Sequence, residues 1–150
     1  MQSFENTVTI EKPVEDVFAF LANFENVPAW NHAIEATGKI SPGPVGVGTA
    51  YRQIRSIPRR SEEDFEVTVF EPMSRLVIQG QIGRFRTRAC YSLTPVGSAT
   101  RLTNEVDLEP SSGVLRLVAP LAIPRVKAGV AENLNKLKEI LEGRGQRDHV

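Results

Sequence analysis

The sequence predicts an α+β domain in which a run of antiparallel β-strands is followed by one long C-terminal α-helix. Three observations carry that prediction. Residues 49–109 alternate apolar and polar side chains, and only short proline- and glycine-bearing segments interrupt them. Residues 113–142 carry apolar side chains at helical spacing and stop at Gly143. The N-terminal stretch switches from strand to helix periodicity between Ile10 and Val14.

The first element is "FENTVTIEKP", with Phe4, Val8 and Ile10 on one face and Glu5, Thr7 and Thr9 on the other, which reads as a half-buried strand. Pro13 opens a helix, where its missing N–H costs nothing. Val17, Phe20, Leu21 and Phe24 give that helix an apolar stripe. Pro28 marks a break, and a second short helix is predicted through Trp30 and Ile34. "SPGPVGVG", residues 41–48, is glycine-rich, but no helix and no Lys-Ser/Thr pair follow it, so it reads as a tight turn into a strand rather than a phosphate cradle.

Strands are predicted over residues 49–57, 63–71, 75–82, 84–94 and 99–109, separated by "IPRR", "EPMS", a turn at Gly83 and "TPVGSA". Connections this short make neighbours antiparallel. Folding the chain at "TPVGSA" sets Arg88 against Glu105, Arg86 against Asp107 and Arg84 against Glu109. On the opposite face Phe85 meets Leu108, Thr87 meets Val106, Ala89 meets Asn104 and Tyr91 meets Leu102. Opposite charges pair outside and apolar groups inside, so the arginine stripe reads as a charge-matched solvated face rather than an anion site.

In the C-terminal helix, Val126, Val130, Leu134, Leu137 and Leu141 form one stripe. Residues 114–123 are apolar nearly all round, and Pro120 and Pro124 are expected to bend the helix or split it. The tail "RGQRDHV", which holds His149, is expected to fray.

Composition narrows the function classes. A chain of 150 residues suits one domain, residues 1–150, with one sizeable core. Eighteen basic residues balance eighteen acidic ones, which argues against nucleic acid as the main partner. The start "MQSFENTVTI" lacks the pattern of a signal peptide, no apolar run is long enough for stable membrane insertion, and a cytoplasmic protein is expected. Cys90 is the only cysteine, so no intramolecular disulfide forms. With His32 and His149 it cannot make a zinc site of usual spacing, and no serine nucleophile elbow, haem or flavin signature is present. No metal and no cofactor are expected.

The order strand, two short helices, antiparallel strands and a long C-terminal helix is that of the helix-grip fold. The opening "VTIEKPVEDVFAFLANFENVPAWNHAI" resembles the START-like superfamily (SRPBCC) in its polyketide cyclase/dehydrase branch, as do "GVGTAYRQI", "FEVTVFEP" and "YSLTPVGSATRLTNEVDLEP". The resemblance covers about residues 3–142. It implies a curved sheet of six or seven strands gripping the C-terminal helix around an apolar cavity. Its members bind lipids, sterols, polyketides or plant hormones, and some catalyse cyclisation or dehydration.

Within that frame the candidate ligand-binding residues are Trp30, Tyr51, Gln53, Arg55, Phe85, Tyr91, Asn104, Val126 and Val130. Tyr91 and Asn104 fall on the inward face and can orient a carbonyl or hydroxyl; the alternative is a core tyrosine beside an asparagine bonded to backbone. On residues 49–57 each face carries an arginine, and the Tyr51/Gln53/Arg55 face is favoured as inward. An inward Arg55 needs a carboxylate or an anionic ligand as partner. Trp30 either lines the cavity or packs against the C-terminal helix. His32 lies on a different face of its helix from Trp30, exposed or at the rim.

Three readings follow. The first is binding of a small hydrophobic or amphipathic molecule. The second is a cyclase/dehydratase-type lyase or isomerase without metal, with Tyr91, Arg55 or His32 as the catalytic candidates. The third is a module that docks a membrane or a protein through residues 114–123. A homodimer stays open.

Overall fold

The computed structural model describes residues 2–82 and 85–143. Seven strands form one curved antiparallel sheet: β1 (Gln2–Ile10), β2 (Ile34–Lys39), β3 (Ala50–Arg55), β4 (Ser61–Glu71), β5 (Arg75–Ile82), β6 (Phe85–Val96) and β7 (Ala99–Pro110). Their order across the sheet is β1-β7-β6-β5-β4-β3-β2, so the first strand pairs with the last. The helices are α1 (Val14–Ala22), α2 (Val27–Trp30) and α3 (Gly113–Glu142), and a 3₁₀ turn at Phe24–Asn26 joins the first two. This is the helix-grip arrangement.

The core lies between the concave face of the sheet and the helices. Alternation along each strand builds it: Phe4 and Ile10 from β1, Leu102, Val106 and Leu108 from β7, Ala89, Tyr91 and Leu93 from β6, and Phe65 and Val67 from β4. Val17, Phe18 and Leu21 from α1 and Leu134 and Leu137 from α3 close over it. The expected α1 stripe holds at Val17, Leu21 and Phe24, whereas Phe20 is half-buried and Phe18 takes the inward position. Polar ties hold the C-terminal half of α3 to β1. Asn6 Nδ2 donates to Lys127 O at 3.1 Å, the Glu11 amide donates to Glu142 Oε2 at 2.7 Å, and the Lys138 ammonium donates to Thr9 O. Ser112 caps the start of α3, and Gly143, at φ 75, ends it in the left-handed conformation that glycine adopts most cheaply.

Four expectations change. The β6–β7 hairpin turns on Gly97 and Ser98 alone, with Gly97 at φ 62, rather than across "TPVGSA". Arg88 therefore stands against Asp107, Arg86 against Glu109, Tyr91 against Asn104 and Ala89 against Val106. The slip is two residues, and an even slip keeps every side chain on its assigned face. The expected partner Arg84 lies outside the described residues, as do His149 and the rest of the tail.

Secondly, Ile34 begins β2 rather than ending a helix. The helix is one turn long because Asn31 turns extended, and its Oδ1 accepts from the Ala33 amide at 3.0 Å, bending the chain into the strand. Thirdly, α3 runs unbroken through Pro120 and Pro124. Both prolines face solvent, so water can bond the carbonyls their missing N–H groups leave free. Fourthly, Val126 is 41% exposed, and the inward stripe passes instead through Ala119, Ile123, Val130, Leu134 and Leu137.

Candidate functional site

Strand alternation sends two groups of polar side chains into the interior. The first comes from β3 and β4. Tyr51 and Gln53 are buried while Arg52 is exposed, so the Tyr51/Gln53/Arg55 face points inward. Arg52 lies outside, held by Asp64 at 2.8 Å and Glu62 at 3.3 Å. The hydrogen bond from Arg52 lowers the Asp64 pKa and raises that of Arg52.

Arg55 has a protein partner. Its Nε donates to both oxygens of Glu63 at 3.1 Å. Gln53 Nε2 donates to Glu63 Oε1 at 3.0 Å, and Ser61 Oγ donates to Oε2 at 3.2 Å. The Glu63 side chain is 4% exposed and that of Arg55 is 17% exposed. Glu63 is the carboxylate an inward arginine requires, so no anionic ligand is needed to balance Arg55. Sequence reasoning named Arg55 and missed Glu63. The signal was present: Glu63 shares the phase of Phe65 and Val67, and the turn after Arg55 places it opposite Gln53.

Beside this cluster the rings of Tyr51 and Phe65 stack with centroids 5.2 Å apart, and Phe24 meets both edge-on at 5.1 and 5.5 Å. Burial, with a smaller contribution from the nearby Glu25 charge, raises the Tyr51 pKa. The interior is filled by side chains at this end.

The second group is Tyr91 and Asn104, opposite each other on β6 and β7. Asn104 Nδ2 donates to Cys90 O at 3.3 Å, the backbone bond that was one of its two expected roles. Tyr91 is buried, and its hydroxyl has no hydrogen-bond partner among the described residues. Burial pushes its pKa up to about 12. Thr37 Oγ1, on the inward face of β2 next to Gln53, is the one side-chain oxygen or nitrogen among the described residues that is fully buried without a partner.

Of the other candidates, Trp30 is buried in the core and Val130 packs against it half-buried. Phe85 is half-buried at the end of the sheet where α3 begins, opposite Ile82 of β5. His32 is exposed, and its Nδ1 lies 2.9 Å from Oδ1 of the buried Asn133 of α3. It fastens the α2 turn to α3 and stands apart from the buried Tyr91. Val126 faces solvent. The structure thus brings Tyr51, Gln53 and Arg55 together and faces Tyr91 with Asn104, leaving His32 and Val126 outside.

On the convex side, a hollow of about 280 Å³ is lined by Gln81, Arg86, Glu109, Pro110, Ser111 and Arg116. Next to it the Arg88–Asp107 pair spans 3.5 Å, part of the charge-matched face. Among the described residues, no group of three or more His, Cys, Asp or Glu side chains is placed to hold a metal ion. No helix among them is long and apolar enough to cross a membrane.

Comparison with known proteins agrees with this architecture. A START superfamily protein from Mycobacterium smegmatis superposes with a TM-score of 0.67 at 23% identity, covering 97% of both chains. The Zhui aromatase/cyclase from Streptomyces sp. R1128 gives 0.76 at 12% identity, over 95% of this chain and 94% of that one. TTHA0849 from Thermus thermophilus gives 0.78 at 17% identity, over 93% and 97%. No curated protein matches the sequence. The family model described as polyketide cyclase/dehydrase and lipid transport matches residues 1–142, and the chain belongs to that family.

Proposed function

We propose that this chain binds a small hydrophobic or amphipathic molecule, of lipid, polyketide or aromatic type, between the sheet and α3. The Tyr91 hydroxyl carries this reading. It lies on the inward face of β6 and makes no hydrogen bond among the described residues, so a ligand carbonyl or hydroxyl can meet it and be held in one orientation. Apolar burial against Trp30, Phe85 and Val130 supplies most of the affinity, and a few polar groups set the pose. Asn104, opposite Tyr91, and Gln53 are the remaining polar groups that face the interior. Because Glu63 neutralises Arg55, the ligand's head group is uncharged.

The experiment is native mass spectrometry of the purified chain, followed by solvent extraction and identification of any small molecule released. A bound species that is lost on Tyr91→Ala or Trp30→Ala supports the reading. A mass equal to the bare chain, unshifted by a panel of lipids, sterols and aromatic polyketides, overturns it.

A cyclase/dehydratase acting in the same chamber is the second reading. The placement of Tyr91 bears on it: its hydroxyl is on the inward face opposite Asn104 with no hydrogen bond among the described residues, and can donate to a substrate carbonyl. Tyr91→Phe separates the two, since a carrier loses affinity alone while an enzyme loses turnover on a substrate it still binds.

A further inference from the structure

We propose that the first half of α3 is a hinged gate over the chamber: residues 113–123 swing as one piece about Pro124–Gly129, while residues 130–142 stay fixed to the sheet. The inference rests on the chamber being a ligand site and adds how a ligand reaches it.

The two halves of the helix differ in sequence. Residues 131–142, "AENLNKLKEILE", are mostly strong helix formers without glycine or proline, and the Lys138 ammonium meets Glu142 one turn on at 2.7 Å. Residues 113–130, "GVLRLVAPLAIPRVKAGV", hold Pro120, Pro124 and Gly129 among β-branched side chains. Each proline lacks an N–H, so the carbonyls of Arg116 and Pro120 have no helical donor. A Cβ on Gly129 would meet nothing within 4 Å, so packing does not require glycine there. Ser112 Oγ accepts from the Leu115 amide at 3.3 Å, which keeps the first turns helical and lets the segment move as a rod.

The halves also differ in attachment. The ties to the rest of the domain fall at Lys127 or beyond: Asn6 to Lys127 O, His32 to Asn133, Lys138 to Thr9 O and the Glu11 amide to Glu142. Among the described residues, no hydrogen bond or ion pair joins residues 113–126 to the sheet or to α1 and α2. Leu134 and Leu137 are fully buried with Ile140 and Leu141 packed beside them, whereas the first half fully buries Ala119 alone, with Leu115 and Ile123 half-buried. A segment held by so little apolar contact opens at lower cost than the domain unfolds. Under it lies the looser end of the interior. Inward-facing Leu76, Tyr91 and Leu102 are buried, while Ile78 and Phe85, nearer the start of α3, are only half-buried. A ligand admitted there passes along β6 from Phe85 to Tyr91.

The test combines hydrogen–deuterium exchange of the full chain with stopped-flow uptake of Nile red, a neutral apolar dye. Amides of residues 114–126 are expected to exchange at least tenfold faster than those of residues 131–141. The uptake rate is expected to level off at high dye concentration, where opening becomes limiting. Gly129→Ala slows both the exchange of residues 114–126 and the limiting uptake rate about fivefold, and adding Pro124→Ala slows both further, while exchange of residues 131–141 stays unchanged. Equal exchange along α3 overturns the proposal even where the dye binds, and leaves the chamber reading standing. Graded exchange with an uptake rate that neither variant lowers also overturns it, because the dye then enters elsewhere. Absence of dye binding to the wild type and to both variants removes the chamber, and the gate falls with it.

Discussion

Replacing Glu63 with leucine removes the carboxylate that Arg55, Gln53 and Ser61 share while keeping similar bulk. Three side chains lose their acceptor at once: the Arg55 guanidinium with its two contacts at 3.1 Å, the Gln53 amide at 3.0 Å and the Ser61 hydroxyl at 3.2 Å. Breaking a buried pair from one side costs about 3–5 kcal/mol, because the remaining charge is left without compensation. The 17% exposure of the Arg55 side chain lets water reach part of it, so the lower end, about 3 kcal/mol, is expected. In a domain of this size that corresponds to a fall of roughly 6–12 °C in Tm. Urea denaturation measures it, with the slope unchanged. The double variant Glu63→Leu with Arg55→Met recovers most of the loss, since an apolar pair of similar volume replaces a buried ion pair at little or no cost. Glu63→Gln, which keeps the shape but frees the Arg55 charge, is expected to raise affinity for carboxylate-bearing ligands over their neutral analogues. If Glu63→Leu costs under about 1 kcal/mol, or the double variant is no more stable than the single one, the pair is solvated and the neutral-chamber argument fails.

Tyr91→Phe is expected to leave stability unchanged or slightly higher, because an unpartnered hydroxyl is removed, while titration calorimetry reads a loss of about tenfold in affinity for a bound ligand. The same residue makes the fold alkali-sensitive. The folded pKa of about 12 lies above the ordinary 10.0, so the unfolded chain releases the proton first, and stability complete below pH 10 falls as pH rises through 12. The loss approaches about 2–3 kcal/mol, is followed by phenolate absorbance and Tm together, and disappears in Tyr91→Phe; an unchanged slope in that variant refutes the assignment. Gly80→Ala puts a Cβ 2.5 Å from Asp64 O and 2.7 Å from Phe65 Cβ, both on the neighbouring strand, so β4 and β5 must separate. A cost of about 1–3 kcal/mol in urea denaturation is expected, and a neutral result shows that the strands adjust.

The faces of the strands were legible because side-chain alternation survives an error in register. Placing the β6–β7 turn two residues too wide moved every partner but turned no side chain over, and Tyr91 and Asn104 stayed inside. β2 was hidden by its own irregularity: a bulge between Ile34 and Ala36 breaks the period that marks a strand. The face of Tyr51, Gln53 and Arg55 was favoured as inward, but each face of residues 49–57 carries an arginine, so the pattern alone left that choice open. The identity of the Arg55 partner was not sought, because a glutamate in an acidic run reads as surface until its phase against Phe65 and Val67 is counted. Val126 was misplaced because it stands at the edge of the stripe, about 80° around the helix axis from Leu134. The packing of side chains around Tyr51, which closes the interior at that end, depends on contacts between distant segments that no local pattern encodes.

The pairing of the first strand with the last also governs how this chain can be made. Gln2 sits opposite Leu108 and Ile10 opposite Thr100, so β1 has no partner until β7 exists. At ribosomal speeds of about 5–20 residues per second, β1 waits roughly 5–20 s with its backbone donors and acceptors exposed. Closure of the sheet is a long-range event that comes late and sets the pace of folding. A chain cut short before β7 loses two interfaces at once, since β1 and β6 both face the gap. The N-terminal strand is therefore a proofreading element: it docks only when translation has delivered nearly the whole domain.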